Sequence, residues 1–263
     1  MSPSERAGRL LEIIGAWFPY TVSPEAATHE EMALAGVVRS ARLLDGMVTL
    51  KSRPDLVGNL ARSSFETWVT AVYILLGGEE AFERVEAGDD YEQRKMCRRF
   101  LELDESDSSL VKRRQSDTEF LDRCREFLDR PEPTASRLDL WAMSLKVERM
   151  LDALGDPNSG YPTMMYANLY ATESYTATHG GLGALKQYYL KAGQFSTTLN
   201  FASSASESRG HHMIELMTAA LLALAAKVGD ALEFDTAPLS EFASQWFPDQ
   251  PSRLDYPPDH PGP

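Results

Sequence analysis

The spacing of apolar residues along the chain is helical almost throughout. Apolar positions recur every three or four residues, and no segment keeps a strict apolar–polar alternation rich in β-branched residues. No sequence repeat of fixed period is visible. The pattern therefore predicts an all-α, single-domain bundle of roughly eight to ten helices, with no sheet.

Start and stop residues divide the chain into these helices. Ser23-Pro24-Glu25 predicts an N-cap and first turn for a helix that runs to about Lys51. Pro54 opens a second helix, which is expected to end at Gly77-Gly78. The remaining predicted helices cover residues 4–17, 79–87, 91–103, 110–129, 136–154, 163–179, 182–191, 206–228 and 238–246.

Two stretches depart from the bundle pattern. The charged residues 91–130 are expected to form an inserted helical hairpin within a bundle domain of residues 1–247. The acidic, proline-rich residues 248–263 cannot bury apolar area, so a disordered tail is predicted there.

Charge limits the partners of this chain. The net charge of −13 repels phosphate backbones, so general nucleic-acid binding is disfavoured and no DNA partner is expected. The basic clusters Arg94–Arg99 and Lys112–Arg114 are nearly balanced by acids in the same helices and are expected to form a solvated face.

The cysteines and apolar runs indicate a compartment. Cys97 and Cys124 lack CxxC spacing and are expected to be two buried thiols in a reducing cytoplasm. No signal peptide is predicted. The apolar run Ile214–Val228 contains Glu215 and is too short to cross a bilayer. We therefore expect a cytoplasmic protein with no membrane partner.

A charged pair lies in the most apolar part of the second predicted helix. Arg62 and Glu66 are four residues apart and are surrounded by apolar side chains on most sides. They could line a pocket in which Arg62 holds an anionic group and Glu66 acts as a ligand or base. The alternative is an ordinary ion pair of structural value only.

A later helix supplies further polar groups. Tyr170 and Glu173 share one stripe of the predicted helix 163–179, and His179 lies near its C-terminal end. These side chains could converge on the pocket of Arg62 and Glu66. Alternatively, the tyrosine is a core residue with a solvated hydroxyl, and the histidine only ends the helix.

A third set has metal-ligand spacing. Glu207, His211 and Glu215 step by four residues and share one helical face, as metal ligands on a bundle helix do. Gly210 and the preceding serines indicate a loose helix start, which argues against a metal. We therefore expect no metal and no cofactor, and keep these residues as an alternative.

The segments NLARSSFETWVTAVYILLGG and NLYATESYTATHGGLGALKQYY resemble those of uncharacterised bacterial all-helical proteins, which are distantly similar to HEPN-type domains. The similarity covers about residues 35–190. The positions that match are Arg62, Glu66, Tyr170, Ser174 and His179. The resemblance implies a helical bundle that acts on or binds RNA or nucleotides.

The usual catalytic signature of HEPN ribonucleases is not found in a helical segment. That signature is an arginine followed, after four to six residues, by a histidine. Arg253 and His260 match it arithmetically, but they lie in the proline-rich tail. Ribonuclease activity of the usual type is therefore not expected.

Three functions remain open from the sequence. The first is a divergent HEPN-like module that binds a nucleotide or an RNA end through Arg62, Tyr170 and Ser174. In it, His179, Glu66 and Glu173 would be the catalytic groups if the ligand is turned over. The second is a non-catalytic interaction protein, such as a defence-system partner or a homo-oligomer. The third is a metal-dependent enzyme whose ligands are Glu66, Glu173, Glu207, His211 and Glu215.

Overall fold

A computed structural model describes residues 1–21, 27–106, 115–132, 150, 189–191, 197–199 and 207–246. The regular secondary structure in these ranges is helical apart from one short β-ladder, which confirms the all-α class. They contain six helices, not the eight to ten predicted for the whole chain. The elements are α1 (Pro3–Gly15), α2 (His29–Thr49), α3 (Pro54–Ser106), α4 (Gln115–Leu128), β1 (Tyr189–Lys191), β2 (Thr197–Leu199), α5 (Glu207–Ala231) and α6 (Ala237–Trp246).

The first two helices begin with the same hydrogen-bond pattern, a capping box. The Ser2 hydroxyl accepts from the Glu5 backbone N–H, and the Glu5 carboxylate accepts from the Ser2 backbone N–H. Thr28 and Glu31 form the same reciprocal pair at the start of α2. Each box satisfies donors that a helix start leaves open. Helix α2 therefore begins later than predicted, with Thr28 as its N-cap, and the predicted N-cap Ser23 lies outside the described residues.

The longest helix, α3, bends where two glycines were predicted to end it. Its only non-helical backbone is at Gly78, with φ of 61° and ψ of −153°. A positive φ costs glycine little, so the kink falls at a residue that tolerates it. The break predicted between residues 87 and 91 is wrong, because the helix continues through Gly88 to Ser106.

The chain divides into two compact units at this kink. Unit 1 comprises Met1–Gly78 and Met150–Pro263, and unit 2 comprises Glu79–Arg149. Unit 2 includes residues 91–130, for which the sequence predicts an inserted hairpin. The single domain over residues 1–247 stays a prediction, and the tail at 248–263 lies outside the described residues.

Unit 1 is organised around α5. This helix packs against α1, α2 and α6, and side chains around most of its circumference are buried. Its length and composition would allow it to cross a membrane, but 67% of the apolar window is buried inside the protein. Burial of this kind is typical of a core helix. Helices α2 and α3 approach closely at Gly36, where an added Cβ would lie 2.5 Å from the Ala71 Cβ.

Unit 2 contains two antiparallel helical segments. Phe100, near the end of α3, packs edge-to-face on Phe120, near the start of α4, with ring centroids 5.1 Å apart. Earlier in α3, Arg94 Nη1 donates to the Leu128 carbonyl at 3.3 Å, at the end of α4. Contacts that run in opposite directions along the two segments define a helical hairpin.

One part of unit 1 contradicts the prediction of no sheet. Strands β1 and β2 pair antiparallel, with Tyr189 opposite Leu199 and Lys191 opposite Thr197. The helix predicted over residues 182–191 is therefore wrong at its end. Three-residue strands are too short for a period-2 pattern to appear in the sequence.

Candidate functional site

The Arg62–Glu66 pair forms, but its two partners differ in exposure. Arg62 Nη2 lies 3.2 Å from Glu66 Oε1, one helical turn along α3. The arginine side chain is 14% exposed and the glutamate side chain is 40% exposed. The expected burial is therefore correct for Arg62, whereas Glu66 reaches solvent. Because the carboxylate is partly hydrated, the pair is intermediate between a surface ion pair and a buried ion pair.

The other members of the predicted pocket lie outside the described residues. These are Tyr170, Glu173, Ser174 and His179. Their convergence on the ion pair and the catalytic roles assigned to them stay predictions.

The set with metal-ligand spacing is not assembled as a metal site. Glu215 Oε1 accepts from Arg6 Nη1 at 2.5 Å, so this carboxylate is committed to an ion pair between α5 and α1. His211 is half-buried and Glu207 is exposed. Within the described ranges, no three His, Cys, Asp or Glu side chains form a group that could hold a metal ion.

The Arg6–Glu215 ion pair is covered by the ring of Trp246. The Arg6 guanidinium carbon lies 4.9 Å from the centre of the Trp246 ring, which favours a cation–π contact. The space between these side chains is only about 10 Å³. A cavity of that size holds at most a single water, so this cluster ties α1, α5 and α6 together rather than binding a ligand.

An open groove of about 550 Å³ lies between the segment after α1 and helix α2. We call it the α2 groove; it is lined by Phe18, Tyr20, Glu31, Leu34, Ala35, Val38, Arg39, Arg42 and Leu43. Its volume is in the range of small-molecule sites.

Aromatic rings fix the wall that faces α2. The Tyr20 ring meets Phe234 edge-to-face at 5.2 Å, and Trp17 packs on the same ring at 5.0 Å. Phe234 follows α5, so the core of unit 1 holds this segment in place. Phe18 keeps 36% of its surface exposed and is free to contact a ligand.

Two arginines give the groove its chemistry. Arg39 and Arg42 are three residues apart on α2, both are exposed, and within the described ranges neither forms an ion pair. Arg39 Nε donates to Thr67 Oγ1 of α3 at 3.1 Å, and the Thr67 hydroxyl donates to the Ser63 carbonyl at 2.8 Å. Thr67 thus orients the guanidinium of Arg39 through Nε and leaves its two Nη groups available.

Glu31 lies at the other end of the groove. Its Oε2 accepts from the Thr28 backbone N–H at 3.0 Å, so the capping box fixes its carboxylate. At about 1.5 Å of rise per residue, Arg39 and Arg42 lie roughly 12–17 Å further along the helix axis. The groove therefore has a carboxylate at one end and two guanidinium groups at the other.

Sequence reasoning missed this groove. The only local signal was the segment RSAR, in which Arg39 and Arg42 share a face; Arg39 has no acid three or four residues away, whereas Asp45 lies three residues after Arg42. The aromatic wall could not be inferred, because it depends on a contact between Tyr20 and Phe234. The arginine chosen from the sequence, Arg62, instead pairs with Glu66.

Comparison with known proteins places the chain in one family. Neither a curated protein nor a solved structure matches it. A family model matches over residues 30–195, a range that begins in α2 and includes all of α3. The chain belongs to DUF5677, a family of unknown function.

Proposed function

We propose that this protein binds a nucleotide, or the phosphorylated end of an RNA, in the α2 groove. The observation that carries the proposal is the pair Arg39 and Arg42, exposed and without ion pairs in the described ranges, beside an aromatic wall. Guanidinium groups bind phosphate through two parallel hydrogen bonds, and aromatic faces stack on bases. A helical module of this kind fits a divergent relative of HEPN-type domains.

The two ends of the groove suggest how such a ligand would lie. The phosphate would contact Arg42 and the Nη groups of Arg39, and the base would stack on Phe18 or Tyr20. The free lone pairs of the Glu31 carboxylate accept hydrogen bonds, so this end favours a base that carries an exocyclic amino group. The net charge of −13 confines binding to this local site and opposes long polyanions.

Calorimetric titration tests the proposal on the full chain. The probes are AMP, adenosine, inorganic phosphate, and the RNA dinucleotide ApA with and without a 5′-phosphate. We expect binding of the phosphorylated compounds, with adenosine and ApA that lacks the 5′-phosphate at least tenfold weaker. If AMP binds and 5′-phosphorylated ApA does not, the ligand is a free nucleotide; the reverse result assigns an RNA end.

Variants connect the binding to the groove. Arg39→Ala and Arg42→Ala each remove a charged contact worth about 1.5–3 kcal/mol, which corresponds to a roughly tenfold or greater rise in Kd. Arg9→Ala is the matched control, because Arg9 is an exposed arginine of unit 1 outside the groove. No binding of any phosphorylated probe, or an equal loss in all three variants, would overturn the proposal.

A further inference from the structure

The two cysteines of the chain face each other in the helical hairpin of unit 2. Cys97 lies in α3 and Cys124 in α4, and each is 3% exposed. They are flanked on one side by the contact between Arg94 and Leu128, and on the other by the ring pair Phe100 and Phe120. This antiparallel register brings positions 97 and 124 opposite each other.

We propose that Cys97 and Cys124 form a reversible disulfide that crosslinks the hairpin. A disulfide needs two side chains that approach across adjacent backbones, and two buried cysteines at opposed positions of an antiparallel helix pair meet that requirement. The rest of the sequence contains no other cysteine, so an intramolecular disulfide can form only between these two residues.

The chemistry is exchange with a small-molecule disulfide such as oxidised glutathione. The thiolate of Cys124 attacks one glutathione sulfur, and a glutathione thiolate leaves. The Cys97 sulfur then loses its proton, attacks the Cys124 sulfur of this mixed disulfide, and releases the second glutathione. Two protein thiols are oxidised to one disulfide, and one small-molecule disulfide is reduced to two thiols.

The environment of the thiols makes this reaction slow. Burial, followed by the neighbouring Cys124, raises the pKa of Cys97 to about 11, so this thiol stays protonated at neutral pH. Both sulfurs are also shielded from solvent, so reagents reach them when the hairpin opens. Oxidation should therefore speed up at alkaline pH and in mild denaturant.

Oxidation of the full chain with glutathione buffers of defined ratio tests the proposal. We expect a mass loss of about 2 Da per chain, both free thiols lost together, and a monomer on non-reducing gels; dithiothreitol should reverse all three. The oxidised protein should also melt at a temperature higher by roughly 5–10 °C, because the crosslink restricts the unfolded chain. Reduced and oxidised wild type are the same polypeptide, so no variant has to fold.

Cys97→Ser and Cys124→Ser are the controls. Each should give only a glutathione adduct or an intermolecular dimer under the same buffers. If wild type behaves as these variants do, or if the oxidised monomer melts lower than the reduced one, the proposal is wrong.

Discussion

The two units of the molecule stabilise their helices in different ways. In unit 1, α1, α2 and α6 pack against α5, which buries apolar side chains on most of its faces. The hairpin of unit 2 has only two helical segments in its described part and uses a buried arginine, whose Nε, Nη1 and Nη2 all donate hydrogen bonds. A large apolar core leaves surface arginines available for a ligand, whereas a thin hairpin uses one for stability.

Arg94 shows what an arginine of structural value looks like. It is 2% exposed, with Nε donating to Asp90 Oδ2 at 2.6 Å and Nη2 donating to the Pro131 carbonyl at 2.8 Å. Its guanidinium also lies 5.3 Å from the centre of the Phe127 ring. The solvated face predicted for this basic cluster is therefore wrong at Arg94, although Arg98 and Arg99 are exposed.

The largest effect on stability is expected when the hydrogen bonds of Arg94 are removed. Arg94→Ala leaves the Leu128 and Pro131 carbonyls without their donor and Asp90 without its partner, which should cost about 3–5 kcal/mol of unfolding free energy. Urea denaturation followed by helical circular dichroism measures it. Arg99→Ala, an exposed neighbour on the same helix, should stay within about 0.5 kcal/mol. Equal losses in the two variants would mean that buried Arg94 contributes no more to stability than the exposed Arg99 does.

Alanine substitutions at two glycines, Gly36 and Gly8, test the apolar packing of unit 1. Gly36→Ala places a Cβ 2.5 Å from the Ala71 Cβ, so α2 and α3 must separate, and we expect a loss of about 1–3 kcal/mol. Gly8→Ala is the control, because no atom lies within 4 Å of its added Cβ. It should gain about 0.5–1 kcal/mol from helix propensity. If thermal unfolding shows that Gly36→Ala is as stable as Gly8→Ala, the close approach of α2 and α3 at Gly36 does not restrict the size of the side chain there.

The Arg62–Glu66 pair should have a smaller effect. Glu66→Ala removes the carboxylate from a largely buried arginine, and the partial hydration of Glu66 reduces the cost to about 1–2 kcal/mol. Glu12→Ala is the control, since Glu12 and its partner Arg9 are both mostly exposed. A Glu66→Ala protein that is as stable as the Glu12→Ala protein would mean that Arg62 does not depend on the pair.

The smallest effect should come from the residue that positions Arg39. Thr67→Val removes the hydroxyl that accepts from Arg39 Nε and keeps the side-chain shape. We expect a two- to fivefold rise in the Kd of AMP with little change in stability, because only the orientation of one guanidinium is lost. Thr67→Ser should retain wild-type affinity. If the Thr67→Val and Thr67→Ser proteins bind AMP equally well, the Thr67 hydroxyl does not position Arg39.

The sequence predicted local features well and distant contacts poorly. Helix bounds such as those of α1 and α6 follow from proline, capping and periodicity, and lie within a residue or two of the prediction. The sequence contains the Thr28–Glu31 capping box, but Ser23 and Pro24 form a competing start signal five residues earlier. Two of the three hydrogen-bond partners of Arg94 lie 34 and 37 residues away, and the wall of the α2 groove depends on Phe234. No local pattern encodes such contacts.

Arg42 is expected to serve a ligand and not the stability of the fold. The most direct test measures unfolding free energy and the Kd of AMP on the same preparations of wild type and Arg42→Ala, with Arg9→Ala beside them. We expect that unfolding free energy stays within about 0.5 kcal/mol of wild type in both variants, while only Arg42→Ala weakens AMP binding tenfold or more. Unchanged affinity in Arg42→Ala, or a loss of stability comparable to that expected for Arg94→Ala, would contradict it.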